Sequence, residues 1–411
     1  MALVAVLSMR NAAHRSGGDL GARWQGELGF AGQTVIEFQA RQVHGAGAGP
    51  IAILVDDVTP ALSQAVDRLR ADGIAVTLVR EMPALGRMIG QDDEILLIAD
   101  GHILPTGHVE LLAGTTGGRL LVLPSNPATA RFERIDAGHV WAGAARAPAS
   151  TVYRLIDMLG DWDFALTLVR SLAQEGADRS LCAIAEVYDG LIVCATDQAT
   201  ADAATDALVR SGGRAGQADD KSLDDWIAGG MSSALAAYAI RHGMAANVLR
   251  GSALGLGVLG LVLVIVGFVS VGLVATLAAY VADRAVQEKS HILRLAPVPA
   301  ALAWSVPVLV LVVIAVAGIL DVPGGLLADL GAVMTALLLG LVPTAHERGG
   351  AGLPPWTRLG PGLCLLVLFV GALAGMLEQA LVLCGIGALA SLAYGLLAPP
   401  IHVAGQQKMP V

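Results

Sequence analysis

The chain has 411 residues, 55% of them hydrophobic and 15% charged, a formal net charge of −9 and a mean hydropathy of +0.65. That average joins an N-terminal half with charges every few residues to an apolar C-terminal half, which excludes a single water-soluble globule. No dense Lys/Arg stripe is present to displace counterions, so nucleic-acid binding is excluded as well.

The acidic residues concentrate in the first 225 positions. Residues 1–9 are apolar but lack a basic segment before them, and they read as a buried first strand rather than a signal peptide. Similar short runs recur at 51–55, 74–79, 95–98 and 120–123, rich in Val, Ile and Leu and not alternating, as strands buried on both faces are. Helices are predicted between them. Val35, Phe38 and Val43 fall at helical spacing within 34–44, and residues 60–70 open with Thr59 as cap and Pro60 at the first helical position. Alternating strands and helices predict a doubly wound, mostly parallel α/β sheet.

Ligands of such sheets bind at the carboxyl ends of strands, where this chain offers Asp56, Asp57 and Asp100. A carboxylate there can hold a divalent cation against a diphosphate, so Asp100 is a candidate Mg2+ ligand. The stretch 10–32 carries glycines together with Arg10, Arg15 and Arg23, candidate contacts for the phosphates of a nucleotide, but no G-x-G-x-x-G or P-loop spacing. Helices follow over 150–174, with a break at Gly160-Asp161, then a strand hairpin from 182–187 and 191–195 about Asp189-Gly190. A helix over 196–210 is expected to stop at Ser211-Gly212-Gly213. Four cysteines, Cys182, Cys194, Cys364 and Cys384, show neither a disulfide framework nor metal-ligand spacing along the chain.

Composition changes at 211–221, which divides the chain into a soluble domain, 1–215, a linker with interfacial helices, 216–246, a transmembrane domain, 247–399, and a tail, 400–411. Residues 251–282 are too long for one span and read as a helical hairpin, with Gly267, Ser270 and Gly272 marking its turn. Further spans are expected at 298–320, 326–342, 359–376 and 377–397, so the second domain is all-α with about six transmembrane helices. Arg241, Arg250, Arg284, Lys289, Arg294, Arg348, Arg358 and Lys408 then fall on one side, with Asp321 and Glu378 on the other. That asymmetry predicts an inner-membrane protein with its soluble domain and both termini in the cytoplasm. Gly251, Gly255, Gly257 and Gly260 are read as close-packing positions. No ionisable residue lies deep in a span, which argues against a transporter.

The order of the helix over 32–43, the strand over 47–55 and the strand 95–98 ending at Asp100 resembles the nucleotidyltransferases that activate sugar or polyol phosphates. The resemblance covers roughly residues 1–210. It implies a nucleotide or nucleotide-linked alcohol as ligand and Asp100 as the metal-binding carboxylate. The tight Gly-x-Gly-x-Arg loop and Lys-Pro pair of that family are missing here. Residues 244–267, the predicted spans and such a head together resemble the CDP-alcohol phosphotransferases, some of which carry a fused nucleotidyltransferase domain. Their membrane motif, D-x-x-D-G-x-x-A-R and then G-x-x-x-D-x-x-x-D, places aspartates on two metal ions, and only Asp283 of the segment 280–291 can stand for one of them. Glu288 and His291 are the polar residues nearest it that could assist, and Arg284, Lys289 and Arg294 are alternative contacts for lipid head groups. The expectation is a membrane-bound relative of both families that has lost the membrane chemistry and serves as a scaffold or regulator, with an Asp100-dependent nucleotidyltransferase head as the alternative. The expected partners are the bilayer and a nucleotide, and a homodimer is left open.

Overall fold

The computed structural model describes residues 2–14, 24–156, 163–215, 223–293, 295, 300–321, 326–349 and 359–397. Its contacts divide into two units: Met1–Ser211 with Ile240–Gly243 and His291–Ala296, and Gly212–Ala239 with Met244–Ser290 and Pro297–Val411.

The first unit is built on a seven-stranded sheet. The apolar runs form β1 (Leu3–Met9), β2 (Ile51–Val55), β3 (Val76–Val79), β4 (Glu94–Ile98) and β5 (Arg119–Pro124), joined by β6 (His139–Pro148) and β7 (Asp178–Leu181). Their order is β7-β5-β6-β4-β1-β2-β3. Parallel pairs join β4, β1, β2 and β3 in succession, and β7 to β5. The sheet departs from a purely parallel one at β6, which runs antiparallel to both β4 and β5. That strand is spelled His-Val-Trp-Ala-Gly-Ala-Ala-Arg-Ala-Pro, and its small residues hide it from a search for branched apolar runs although most of it is buried.

Helices cover both faces. Residues Ala5, Leu7 and Met9 of β1 pack with α1 (Val35–Gly45), α2 (Pro60–Ala71) and α4 (Thr106–Ala113), while Val4 and Val6 pack with α3 (Met82–Met88), α5 (Ala149–Ile156) and α6 (Phe164–Gln174). Alternation along one strand thus supplies two cores. The predicted starts of α1 and α2 hold. The Thr34 side chain accepts from Glu37 N–H while Thr34 N–H donates to Glu37 Oε2 at 2.9 Å, and Thr59 Oγ1 accepts from Leu62 N–H at 3.1 Å.

Two expectations in this unit are corrected. The proposed hairpin is instead a short helix, α7 (Ile184–Tyr188), followed by Val193–Cys194, which pairs antiparallel with His102–Ile103. Helix α8 (Gln198–Ala215) opens at Asp197, whose Oδ1 accepts from Thr200 N–H at 2.8 Å, but it runs on through Gly212 and Gly213. Glycine permits a left-handed stop without imposing one. The predicted break at Gly160-Asp161 lies outside the described residues.

The second unit is helical: α9 (Leu223–Arg241), α10 (Ala246–Ile265), α11 (Val269–Ile292), α12 (Ser305–Asp321), α13 (Leu326–Gly349), α14 (Pro361–Ala374) and α15 (Leu377–Leu397). Helices stand at the places read as spans, and among the described residues three of them, α10, α11 and α15, are long and apolar enough to cross a bilayer. The apolar parts of the others are Ser305–Leu320, Asp329–Pro343 and Pro361–Ala374. At 14 residues, α14 reaches only about 21 Å of a roughly 30 Å layer. The expected count of about six is therefore reduced to three candidate spans among the described residues, enough for association with a membrane.

The α10–α11 turn falls at Gly267, with φ +95°, while Ser270 and Gly272 lie inside α11. A Cβ added at Gly260 would sit 2.8 Å from Gly272 O, and one at Gly272 would sit 2.7 Å from Gly260 O, so these glycines let the two backbones touch. Gly257 makes room for Leu309, whereas a Cβ at Gly251 or Gly255 would meet nothing within 4 Å among the described residues. Of the residues used for orientation, Arg294, Asp321, Arg348, Arg358 and Lys408 have no described side chain.

Candidate functional site

From β1 the chain moves outward to β2 and β3, then returns to lay β4 on the other side of β1. The carboxyl ends of β1 and β4 therefore form the switch point where α/β sheets open a crevice for ligands. Arg10 follows β1, Asp56 follows β2, Arg80 follows β3 and Asp100 stands two residues beyond β4.

Asp100 is 2% exposed. Its Oδ2 accepts from Ser8 Oγ at 2.6 Å and its Oδ1 accepts from Arg10 N–H at 2.9 Å. Burial pushes its carboxyl up to about 6 against the pull of those hydrogen bonds, and the Asp163 carboxylate adds to the rise. The Arg10 guanidinium reaches sideways along the strand ends. Its Nη2 donates to Arg80 O at 2.9 Å, and its Nε lies 3.1 Å from Asp56 Oδ1.

The turn after Asp100 is held as closely. Gly101 adopts φ +65°, and a Cβ there would meet Ala195 O at 2.4 Å. Gln39 of α1 donates its Nε2 hydrogens to Ala99 O and His102 O, at 3.0 and 2.8 Å. Since a carbonyl only accepts, His102 carries a proton on Nδ1 and donates it to Asp100 O at 2.7 Å. Burial holds the imidazole below its ordinary pKa, so it is neutral. Its ring lies between Phe132 and Trp141, with centroids 5.8 and 5.9 Å away. Gly143 of β6, at φ +98°, gives it that space, because a Cβ there would come within 2.0 Å of the ring. Gly143→Ala should therefore expel His102 and cost about 2 kcal/mol or more. Thermal unfolding of the full chain measures it, and a neutral result would mean the ring does not hold the turn.

No family model matches the chain, and no curated protein matches it in sequence. Solved structures do resemble part of it. A protein from Bacillus anthracis described as a glucose-1-phosphate thymidylyltransferase, solved with a sucrose, is 11% identical, with 44% of this chain and 87% of that one covered and a TM-score of 0.35. A nucleotidyl transferase from Methanothermobacter thermautotroptrophicus is 18% identical, with 51% and 99% covered and a TM-score of 0.36. Both bear nucleotidyltransferase names.

Of the residues singled out in the sequence, the sheet brings Arg10, Asp56 and Asp100 to one edge. Asp57 closes its own turn, its Oδ1 accepting from Val58 N–H. Arg15 and Arg23 lie outside the described residues. Asp283 belongs to the second unit, where its Oδ2 accepts from Gln287 Nε2 at 2.8 Å. Glu288 turns to Ser232, 3.5 Å away. No cluster of three or more His, Cys, Asp or Glu ligands gathers around Asp283 among the described residues. Ser8 and His102 were missed as partners of Asp100. A serine within a buried apolar strand was the available signal for the first, since a buried hydroxyl needs a partner.

Proposed function

We propose that the protein is a membrane-anchored relative of the sugar- and polyol-phosphate nucleotidyltransferases whose head binds a nucleotide or nucleotide-linked alcohol without turning it over, and that it acts as a scaffold or regulator in lipid or polyol-phosphate synthesis. One observation carries the loss of turnover: Asp100, the carboxylate on which metal-dependent transfer would depend, is buried with both oxygens engaged by its own chain. Magnesium demands near-octahedral oxygen ligands and keeps several waters. A carboxyl with 2% exposure and hydrogen bonds to Ser8 and Arg10 does not fit that demand, and the Arg10 guanidinium already stands beside Asp56. What remains at the crevice is the Arg10–Asp56 pair on a switch-point edge, whose guanidinium can turn to an anionic ligand.

In the membrane unit the reading is supported by Asp283, which meets an amide and, among the described residues, no set of carboxylates. Two metal ions need several acidic ligands to balance their charge. The proposed orientation, with the head in the cytoplasm, rests on the basic residues of the polar segments.

The test uses the full chain in lipid nanodiscs with CTP or UTP, a polyol or sugar phosphate and Mg2+. Nucleotide binding without release of pyrophosphate is expected, unchanged in Asp100→Asn. Pyrophosphate release that Asp100→Asn abolishes would establish the opposite reading, an active head using Asp100.

A further inference from the structure

Away from the switch-point crevice, His108 of α4, Cys182 just after β7 and Glu186 of α7 each offer a ligand atom, all within 4.8 Å of one another. His108 Nε2 lies 2.8 Å from Glu186 Oε2, and Nδ1 lies 4.0 Å from Cys182 Sγ. Cys182 and Glu186 lie four residues apart at the entry to α7, and the fold brings His108 to them from α4, 74 and 78 residues away in the chain. Backbone pairing fixes the thiol, because Cys182 N–H donates to Val122 O at 2.9 Å and extends the β7–β5 ladder.

We propose that His108, Cys182 and Glu186 form a binding site for zinc or a divalent transition metal of similar preference, with solvent as the fourth ligand. A thiolate, an imidazole and a carboxylate are the ligand types zinc takes, and the sulfur selects against Mg2+ and Ca2+. Tetrahedral zinc sets such ligand atoms about 3.3–3.8 Å apart. The His108–Glu186 pair must therefore open, the pair with Cys182 must close, and one ring nitrogen must face the ion. These are movements of about 1 Å. The side chains of His108 and Glu186 are 21% and 26% exposed, which leaves them room to move and solvent to supply the fourth ligand, while Cys182 is buried. Binding releases one proton to solvent, that of the Cys182 thiol, while the imidazole keeps its proton on the nitrogen turned away from the metal. Affinity accordingly rises with pH. The bound ion would tie α4 and α7 to the end of β7, at the helix that follows the turn holding Asp100 and His102.

Full-length protein stripped of metal and held in detergent is titrated with Co2+, then with Zn2+. One equivalent of Co2+ should give a thiolate-to-cobalt absorption in the near ultraviolet with tetrahedral bands in the visible, and Zn2+ should displace it. Cys182→Ser should remove the thiolate band, Glu186→Gln should weaken binding by about tenfold or more, and Cys194→Ser should leave both unchanged. Circular dichroism checks folding, and the partly exposed Glu186 gives a variant that does not disturb the buried thiol. Absence of the band at one equivalent, its survival in Cys182→Ser, or undiminished affinity in a folded Glu186→Gln would each overturn the site.

Discussion

Replacing Asp100 by Asn should make the head progressively more stable than the natural chain as pH rises from about 4 to about 7. The sign follows from the direction in which burial moves the carboxyl. Asp100 is raised from 3.8 to about 6, so the folded state holds the proton more tightly than the unfolded one. That stabilisation is complete below 3.8 and is lost as pH climbs through about 6. A rise of this size corresponds to about 3 kcal/mol. Asparagine has nearly the same shape and no charge to desolvate, and it can accept from Arg10 N–H while donating to Ser8 Oγ. Asp100→Ala behaves differently, because it leaves both groups without their acceptor at a cost of about 2–3 kcal/mol at any pH. Hydrogen exchange of β1 and β4 peptides along a urea series, at several pH values, reads both variants. An Asn variant that loses stability relative to the natural chain as pH rises would show Asp100 to be a stabilised anion, and its unfitness for a metal would no longer follow.

The sequence made the strands around this carboxylate legible because they are buried on both faces. Residues 51–55 became β2 without adjustment, and 95–98 became most of β4. Thr59-Pro60 marked the start of α2 because capping is chemistry between near neighbours, and the spacing of Val35, Phe38 and Val43 marked α1. What escaped depended on residues distant in the chain. β6 packs alanines and a glycine against neighbours whose bulk decides what fits, and Gly143 is required by His102 rather than by its own strand. The partners of the Asp100 side chain are Ser8 in β1 and Arg10 just after it, and nothing in the spacing pairs either with it. The cluster of His108, Cys182 and Glu186 escaped because a single Cys-x3-Glu pair is no recognised ligand spacing and its third member, His108, is remote in the chain. In the C-terminal half, composition placed the helices but gave about six spans, where three helices among the described residues are long and apolar enough to cross a membrane.

Asp224→Ala should be the most damaging single change in the helical unit, at about 3–5 kcal/mol. The residue is 2% exposed and acts on two other helices. Its Oδ1 accepts from Leu363 N–H at 2.8 Å in the first turn of α14, and its Oδ2 accepts from the Tyr280 hydroxyl of α11. Arg284 Nη1 lies 3.5 Å away. A carboxylate at a helix N-terminus meets both free N–H groups and the positive end of the helix dipole. Gly360 and Gly362 admit it, since a Cβ at either would come within 2.3 or 2.6 Å of its side chain. Alanine would leave the Leu363 N–H and the Tyr280 hydroxyl buried without their acceptor and remove the carboxylate beside Arg284. Tyr280→Phe removes one of those bonds and should cost about 1–2 kcal/mol. If the two residues act as one unit, the double variant Asp224→Ala, Tyr280→Phe should be less damaging than the sum of the single ones by about 0.5–3 kcal/mol. Unfolding of the full chain in bicelles, with proteolysis of α14 as the local readout, measures all three. Strict additivity, or an Asp224→Ala protein as stable as the natural one, would mean that the carboxylate is solvated and that α9 carries it on a wet face. The predicted loss would make Asp224, rather than Asp283, the acid around which these helices are assembled, because it joins α9 to both α11 and α14 while Asp283 meets Gln287 of its own helix.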